Sequence, residues 1–202
     1  MKKKITAIFL CVALVAIAIV GASLAYFTDS KTAENTFTMG NVQIKLDETN
    51  VNDPTGDRVT SNTYNTYPGA VVTKDPIVHN TGKNAAYIRA KVEVKGWETN
   101  REKYPNYVAG ELKDSLKYLI DGLGEGWSLV SATAANEDVT FVLKYDGVLA
   151  AGAKTTAMFQ QVKVPAGLTN TDVFGTITVK ADAIQTDGFD TWEAAFAAFD
   201  AN

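Results

Sequence analysis

The chain has 202 residues, of which 21% are charged, and its formal net charge is −4. Apart from Lys2 to Lys4 the chain has no basic run, and its acidic balance argues against nucleic-acid binding and against binding to anionic membranes. The sequence holds one cysteine, Cys11, and one histidine, His79, which excludes an intramolecular disulfide and a zinc site built from several histidines.

The first 25 residues have the pattern of a secretory signal peptide. Lys2 to Lys4 are positive, Ile5 to Gly21 is apolar, and Ser23 and Ala25 are the small residues that a signal peptidase recognises. Cleavage after Ala25 leaves residues 26–202, enough for one domain with its own core. We therefore predict an extracellular protein, secreted or associated with the cell surface, that meets the membrane only through this signal. An uncleaved anchor is the alternative, although the apolar run is short for a span of about 20 residues.

Residues 26–39 form a candidate donor strand at the predicted new N-terminus. Four side chains suited to burial flank a polar spacer, namely Tyr26, Phe27, Phe37 and Met39. Such a strand can pair with the sheet of its own domain or, by β-strand addition, with the sheet of a neighbouring copy. Repeated head to tail, the second arrangement gives a filament. The residues alone leave both arrangements open.

From Phe37 to Leu46 apolar and polar residues alternate as in a β-strand. The apolar positions change parity across Gly40-Asn41, which predicts a bulge or a break there. A polar stretch from Asp47 to Tyr67 then predicts a long loop, and Tyr67-Pro68-Gly69 predicts a turn.

The polar stretch contains a weak calcium candidate, formed by Asp47, Asp53 and Asp57. Oxygen-rich loops bind Ca²⁺, but this spacing lacks the central glycine and the closing glutamate of an EF-hand. We therefore expect a solvated loop here, with a calcium site as the alternative, and no other cofactor.

Further strand patterns follow along the chain. They cover Val71 to His79 with an interruption at Pro76, Ala86 to Lys95, Trp127 to Ser131, Val139 to Tyr145, Thr155 to Val164, and Val173 to Ile184. Residues 80–84 predict a hairpin-type connection. In the segment Ala86 to Lys95, the charged residues Arg89, Lys91, Glu93 and Lys95 share one face, which we expect to contact water.

Two segments have helical spacing. Leucines recur at intervals of three and four residues from Glu111 to Asp121, a helix that Gly122 would end. The tail from Asp190 to Asp200 predicts a short terminal helix with Asp190 as its cap. The sequence therefore predicts an all-β fold, a two-sheet antiparallel sandwich with one inserted amphipathic helix and a short C-terminal helix. Jelly-roll topology is our expectation within this class, and an immunoglobulin-like arrangement is the alternative.

The sequence has no recognisable catalytic constellation. It lacks a GxSxG elbow, an HExxH helix and a phosphate-binding glycine loop. We expect His79, at a strand end beside a turn, to have a structural or surface role. We expect Trp97 and Trp127 to be buried in the core, with an aromatic platform for a glycan as the alternative.

Several segments together resemble one known family. They are Ala25 to Asp29, Asn35 to Val42, Pro68-Gly69, Asn80 to Gly82, Tyr87 to Arg89, and Ala181 to Phe189. The signal junction resembles that of exported proteins processed by a dedicated SipW-type signal peptidase. By these segments the chain is identified as a member of the TasA/camelysin family of Gram-positive bacteria, which is sometimes grouped with metallopeptidases.

The resemblance implies a jelly-roll subunit, major or accessory, of an extracellular biofilm-matrix fibre. It implies that Tyr26 to about Met39 is donated to the next copy, and that the partners are further copies, the SipW-type signal peptidase and other matrix proteins. It also brings the competing activity of a zinc endopeptidase, although the sequence lacks ligand-spaced histidines for that metal. A cell-surface binding module is a third hypothesis.

Overall fold

The computed structural model describes residues 41–169 and 175–201. The predicted signal peptide, the candidate donor strand and Val173 lie outside these ranges, as does Gly40 of the predicted bulge. None of the helices in the described part has the length and apolarity needed to cross a bilayer.

The described residues form eight strands and three short α-helices. The strands are β1 (Ile44–Asp47), β2 (Val71–Thr73), β3 (Ile77–Asn80), β4 (Ala86–Val94), β5 (Trp127–Ala135), β6 (Asp138–Tyr145), β7 (Gln161–Lys163) and β8 (Ile177–Gln185). The helices are α1 (Trp97–Asn100), α2 (Leu116–Leu119) and α3 (Trp192–Asp200), with 3-10 turns at Arg101–Lys103 and Leu112–Ser115.

These strands pair only in the antiparallel sense. One sheet has the order β5-β6-β4-β8, and β1-β3 and β2-β7 form two further pairs. The inner face of β4 is fully buried through Ile88, Ala90, Val92 and Val94, and it shares one core with Val78 of β3 and Val162 of β7. The all-β sandwich is therefore confirmed, whereas jelly-roll topology stays a prediction.

Several boundaries differ from the sequence prediction. The break at Pro76 is confirmed, because β2 and β3 are separate strands with different partners. Of the strand predicted from Thr155 to Val164, only β7 is paired as a strand. The leucine-rich helix is a 3-10 turn followed by the single turn of α2, so its length was overestimated. The cap of α3 is Thr191 and not Asp190, since the Thr191 side chain accepts a hydrogen bond from the Ala194 amide.

Residues 80–84 do not connect a hairpin, so that prediction was wrong. Strand β3 pairs with β1, whereas β4 pairs with β6 and β8. The loop instead forms hydrogen bonds with the chain before β1: the Thr81 and Gly82 amides donate to the Gln43 carbonyl at 2.8 and 3.0 Å. A Cβ atom on Gly82 would lie 2.5 Å from the Asn41 carbonyl oxygen. The close approach of these two backbones therefore explains the glycine, and the turn prediction lacked this information.

Helix α3 covers part of the outer face of β4, which the sequence predicted to face water. Arg89 is only 4% exposed there. Its guanidinium donates to Asp182 of β8 at 2.8 and 3.0 Å and to Asp200 of α3 at 2.7 Å. It also lies 4.5 Å from the ring centroid of Phe196. The prediction of a water-facing strand was thus wrong at Arg89, because a charged side chain with these partners can be buried.

We expect Arg89→Met to lower the free energy of unfolding by about 2 kcal/mol, because it removes charge-assisted hydrogen bonds to two carboxylates and a cation–π contact. Urea denaturation followed by circular dichroism measures this change. Lys91→Met is the matched control, since Lys91 lies on the same face but is partly exposed; we expect a change below about 0.5 kcal/mol. Equal losses in the two variants would contradict a specific role of Arg89 in docking α3.

Candidate binding groove

A groove of about 490 Å³ lies between the two layers of the sandwich. The first residues of β8, the end of β1 and the β2-β7 pair border it, and residues 60–66 form an irregular wall. Its apolar lining comes from both layers, through Leu46, Val72, Pro76, Val162, Val164, Ile177 and Val179. A site with apolar lining next to a strand edge can hold an extended polypeptide.

The groove runs beside a free sheet edge. The Lys95 amide donates to the Thr176 carbonyl and the Thr186 amide to the Ala85 carbonyl, both at 3.1 Å, in the same register as the β4-β8 ladder. Because hydrogen-bonded and non-bonded positions alternate in antiparallel pairs, the odd-numbered residues of β8 direct their N–H and C=O groups away from β4. These residues are Ile177, Val179, Ala181, Ala183 and Gln185. Within residues 41–169 and 175–201, no strand pairs with this edge.

The opposite edge of the same sheet is different. Strand β5 contains a register shift between Leu129 and Ser131, and Val130 protrudes there with 47% of its surface exposed. A bulge twists an edge strand and interrupts the row of groups that another strand would need. Of the two edges, β8 is therefore the one suited to strand addition.

One part of the groove lining is polar and buried. Lys74 Nζ lies 2.7 Å from Glu48 Oε2, and both side chains are nearly inaccessible to water. Lys74 Nζ also lies 5.8 Å from the ring centroid of Tyr64. The Tyr64 hydroxyl is buried without a hydrogen-bond partner among the described residues. Burial, followed by the nearby charge of Glu48, raises the pKa of Tyr64 to about 12.

Arg58 attaches the irregular wall to the sandwich. Its Nε donates to Asp47 Oδ1 at 2.7 Å and its Nη1 to Asp75 Oδ2 at 2.9 Å. The neighbouring Val59 amide and carbonyl pair with Glu48 at 2.8 Å in each direction. Because much of this wall is exposed, its attachment depends on charges and hydrogen bonds more than on apolar burial.

Burial alone would raise the pKa values of Asp47 and Asp75, but hydrogen bonds outweigh it. Asp47 accepts from Arg58, Lys45 and His79, and its pKa lies below the ordinary value of 3.8. Asp75 accepts from the Thr49 amide, Arg58 and the Thr49 hydroxyl, and its pKa is also lowered. Both carboxylates are therefore more stable ionised in the folded protein than in the unfolded chain.

The three aspartates of the calcium candidate, Asp47, Asp53 and Asp57, do not form one site in the structure. Asp47 is buried against Arg58, whereas Asp53 and Asp57 are exposed in the loop. The Asp53 carboxylate accepts a hydrogen bond from the Thr55 hydroxyl at 3.2 Å. Across the described ranges, no three His, Cys, Asp or Glu side chains come together as metal ligands would.

The remaining candidate residues divide into two groups. Ser23, Ala25, Tyr26, Phe27, Phe37 and Met39 lie outside the described residues. His79 Nε2 lies 3.1 Å from Asp47 Oδ1, so its ring is part of the network around Arg58. Trp97 is buried edge-on against Phe141, and Trp127 is buried with its indole nitrogen donating to the Thr156 carbonyl. An exposed platform built from these two tryptophans was therefore wrong.

Sequence reasoning missed the groove and its buried ion pair, although a signal existed. Glu48 follows Val42, Ile44 and Leu46 at intervals of two residues, so it shares their face of the strand. Lys74 follows Val72 in the same way. Charged residues at the inward parity of a strand indicate a buried pair or a functional site. Their pairing across 26 residues could not be deduced from either segment alone.

The fold and the groove define an antiparallel β-sandwich protein with an open edge suited to an extended polypeptide. A family model described as camelysin metallo-endopeptidase matches residues 1–105, more than half of the chain. The chain belongs to this family, and the resemblance seen in its segments is confirmed. No curated protein and no solved structure matches the chain.

We expect the attachment of the wall to weaken in acid. The stabilisation from Asp47 and Asp75 is fully present above their unfolded pKa, close to 3.8, and is lost as the pH falls through their lowered folded values. The Val59 amide should accordingly exchange its hydrogen faster, relative to the core amides of β4, as the pH falls below about 4. Hydrogen exchange followed by mass spectrometry or NMR, corrected for intrinsic rates, measures this.

Arg58→Gln should remove most of that acid dependence, because the carboxylates then lose their charged partner. Asp53→Asn serves as the control, since Asp53 is exposed and has no bond to Arg58. An unchanged acid response in Arg58→Gln would contradict the role assigned to this network.

Proposed function

We propose that this protein is a secreted structural subunit, major or accessory, of an extracellular biofilm-matrix fibre. Each subunit donates its N-terminal segment, residues 26–39, to the groove of the next copy. The observation that carries the proposal is the edge of β8, unpaired within residues 41–169 and 175–201, beside a groove with apolar lining. The groove and the edge supply the two requirements of strand addition, side-chain pockets and unpaired backbone groups.

The chemistry of the segment complements the groove. A donated strand pairs its backbone with the outward groups of β8 and turns alternate side chains into the groove. Phe37 and Met39 share one parity and are large enough to bury apolar surface, and Tyr26 and Phe27 add aromatic surface at the far end. Each fully buried side chain of this kind contributes about 1.5–3 kcal/mol of transfer free energy.

We propose a chain of subunits. The donor segment and the groove are different surfaces, so the contact is heterologous, and it repeats as an open filament when the rotation between subunits does not close a ring. The bulged edge of β5 does not offer a second acceptor. The loop of residues 80–84 holds the backbone at Asn41 and Gln43, the part of the described chain that follows the proposed donor in sequence.

The same proposal includes the route out of the cell. A SipW-type signal peptidase would recognise Ser23 and Ala25 and release the chain at Tyr26, which frees the donor segment at a new N-terminus. Further copies are the main partners, and other matrix proteins are accessory ones. Assembly as proposed involves no nucleic acid and no zinc.

The description of the family suggests a second candidate activity for this chain, that of a metallo-endopeptidase. The sequence has one histidine, His79. The carboxylate beside it, Asp47, accepts a hydrogen bond from Arg58. The described residues therefore do not fit a zinc site. Cleavage of casein by the purified chain, abolished by a chelator and restored by zinc, would favour the peptidase over the structural subunit.

Deletion of residues 26–39 should leave a folded monomer that no longer forms fibres, because the donor is lost while the described core is retained. Electron microscopy and sedimentation of the purified chain measure assembly, and circular dichroism measures folding. Continued fibre growth by the deletion variant would contradict strand donation.

Val179→Pro should block assembly from the acceptor side. The Val179 amide points away from β4, so proline removes a hydrogen bond to an added strand but none within the sheet. Val179→Ala is the matched control, because it loses similar packing but keeps the amide. We expect fibres from Val179→Ala and none from Val179→Pro; equal assembly by both would count against pairing at this edge.

A further inference from the structure

The buried polar groups in the groove have hydrogen-bonding capacity that the described residues do not use. An ammonium group has three N–H donors, and Lys74 donates one hydrogen bond to Glu48. Glu48 binds Lys74 through Oε2, and a carboxylate can accept further bonds. The Tyr64 hydroxyl, beside Glu48 and Asn62, is buried without a well-formed hydrogen bond to any described residue. Since buried polar groups in folded proteins are nearly always paired, this polar cluster of Glu48, Tyr64 and Lys74 indicates a ligand with matching groups.

The chemistry of the polar cluster selects the kind of group. A carboxylate would meet repulsion from Glu48, and an ammonium would meet repulsion from Lys74. An apolar side chain would leave all three groups unpaired. A carboxamide suits the cluster, because its oxygen accepts from Lys74 or Tyr64 while its NH₂ group donates to Glu48.

The proposed donor segment contains one carboxamide. Residues 26–39 include a single Asn or Gln, Asn35, and it has the same parity as Phe37 and Met39. A strand that turns Phe37 and Met39 into the groove therefore turns Asn35 inward as well. We infer that the polar cluster of one subunit binds the Asn35 carboxamide of the neighbouring subunit and so fixes the register of the donated strand. This inference rests on the proposed function and extends it.

The polar contact would discriminate against wrong registers. A slip of one residue turns threonines into the groove and exposes Phe37 and Met39. A slip of two residues keeps the parity but brings Ala33 or Phe37 to the polar cluster, where neither side chain can pair with the buried groups. A single polar residue in an apolar interface is a known means of setting register at some loss of affinity.

The test uses the full chain and compares critical concentrations for fibre growth. Asn35→Leu increases the apolar surface of the donor, so a purely apolar groove would bind it as well as before or more tightly. If the polar cluster binds Asn35, the critical concentration rises about tenfold, because buried groups lose their partner. Thr36→Leu is the matched control on the opposite face, with an expected change below about twofold.

Tyr64→Phe supplies the acceptor side of a double-mutant cycle. If the Tyr64 hydroxyl binds Asn35, the critical concentration of the combined variant rises by less than the product of the two single fold-changes. Thermal unfolding of each chain verifies that the variants fold. Wild-type critical concentrations in Asn35→Leu, with fibres still forming, would overturn the inference and leave strand donation standing.

Failure of the unmodified chain to form fibres at any concentration would overturn donation between copies of this chain, and this inference with it, and would leave only an accessory role. If Asn35→Leu then lowered the stability of the monomer, the segment would belong to its own groove and not to a neighbour.

Discussion

Strand β4 is buried on its inner face, partly covered on its outer face and paired along both edges, and the rest of the sandwich is arranged around it. Its inner face supplies the apolar core, and its ladders to β6 and β8 assemble the four-stranded sheet. On its outer face Arg89 joins β4 to β8 and to helix α3 through two carboxylates. A central strand with no free edge leaves β8 and β5 as the two boundaries of its sheet, and the bulge makes β5 the poorer acceptor.

The groove beside β8 combines an apolar interior with a polar attachment. Both layers of the sandwich contribute its apolar lining, whereas charges around Arg58 hold the wall of residues 60–66. A wall of this kind can loosen without disturbing the core, because its attachment is separate from the apolar cluster around β4. The buried Lys74–Glu48 pair belongs to the same region, and burying two charges is seldom the most stable solution for a core. Its presence in the groove is therefore better explained by specificity than by stability.

Membership of the camelysin family is compatible with more than one activity, since a fold carries function only through its sites. The site that the described residues present is a groove with a free strand edge. Its ionisable groups are paired with one another, Asp47 and Asp75 with Arg58 and Glu48 with Lys74. Among the described residues none of these charges is arranged as an open metal site with neighbouring histidines. The proposed structural subunit depends on this groove and its edge.

The sequence by itself determined the fold class, because strict alternation in β4 and β6 and glycine or proline at the turns are local signals. The turn at Tyr67-Pro68-Gly69 is an example, with Gly69 at φ +79° and the Ala70 amide bonded to the Tyr67 carbonyl. Only the tertiary structure decided which distant segments and side chains contact one another. The loop of residues 80–84 contacts the chain before β1, Arg89 is covered by a helix more than 100 residues later, and Lys74 meets Glu48 across the groove. Periodicity reports which face of a strand is apolar, but it contains no information about which distant segment covers that face.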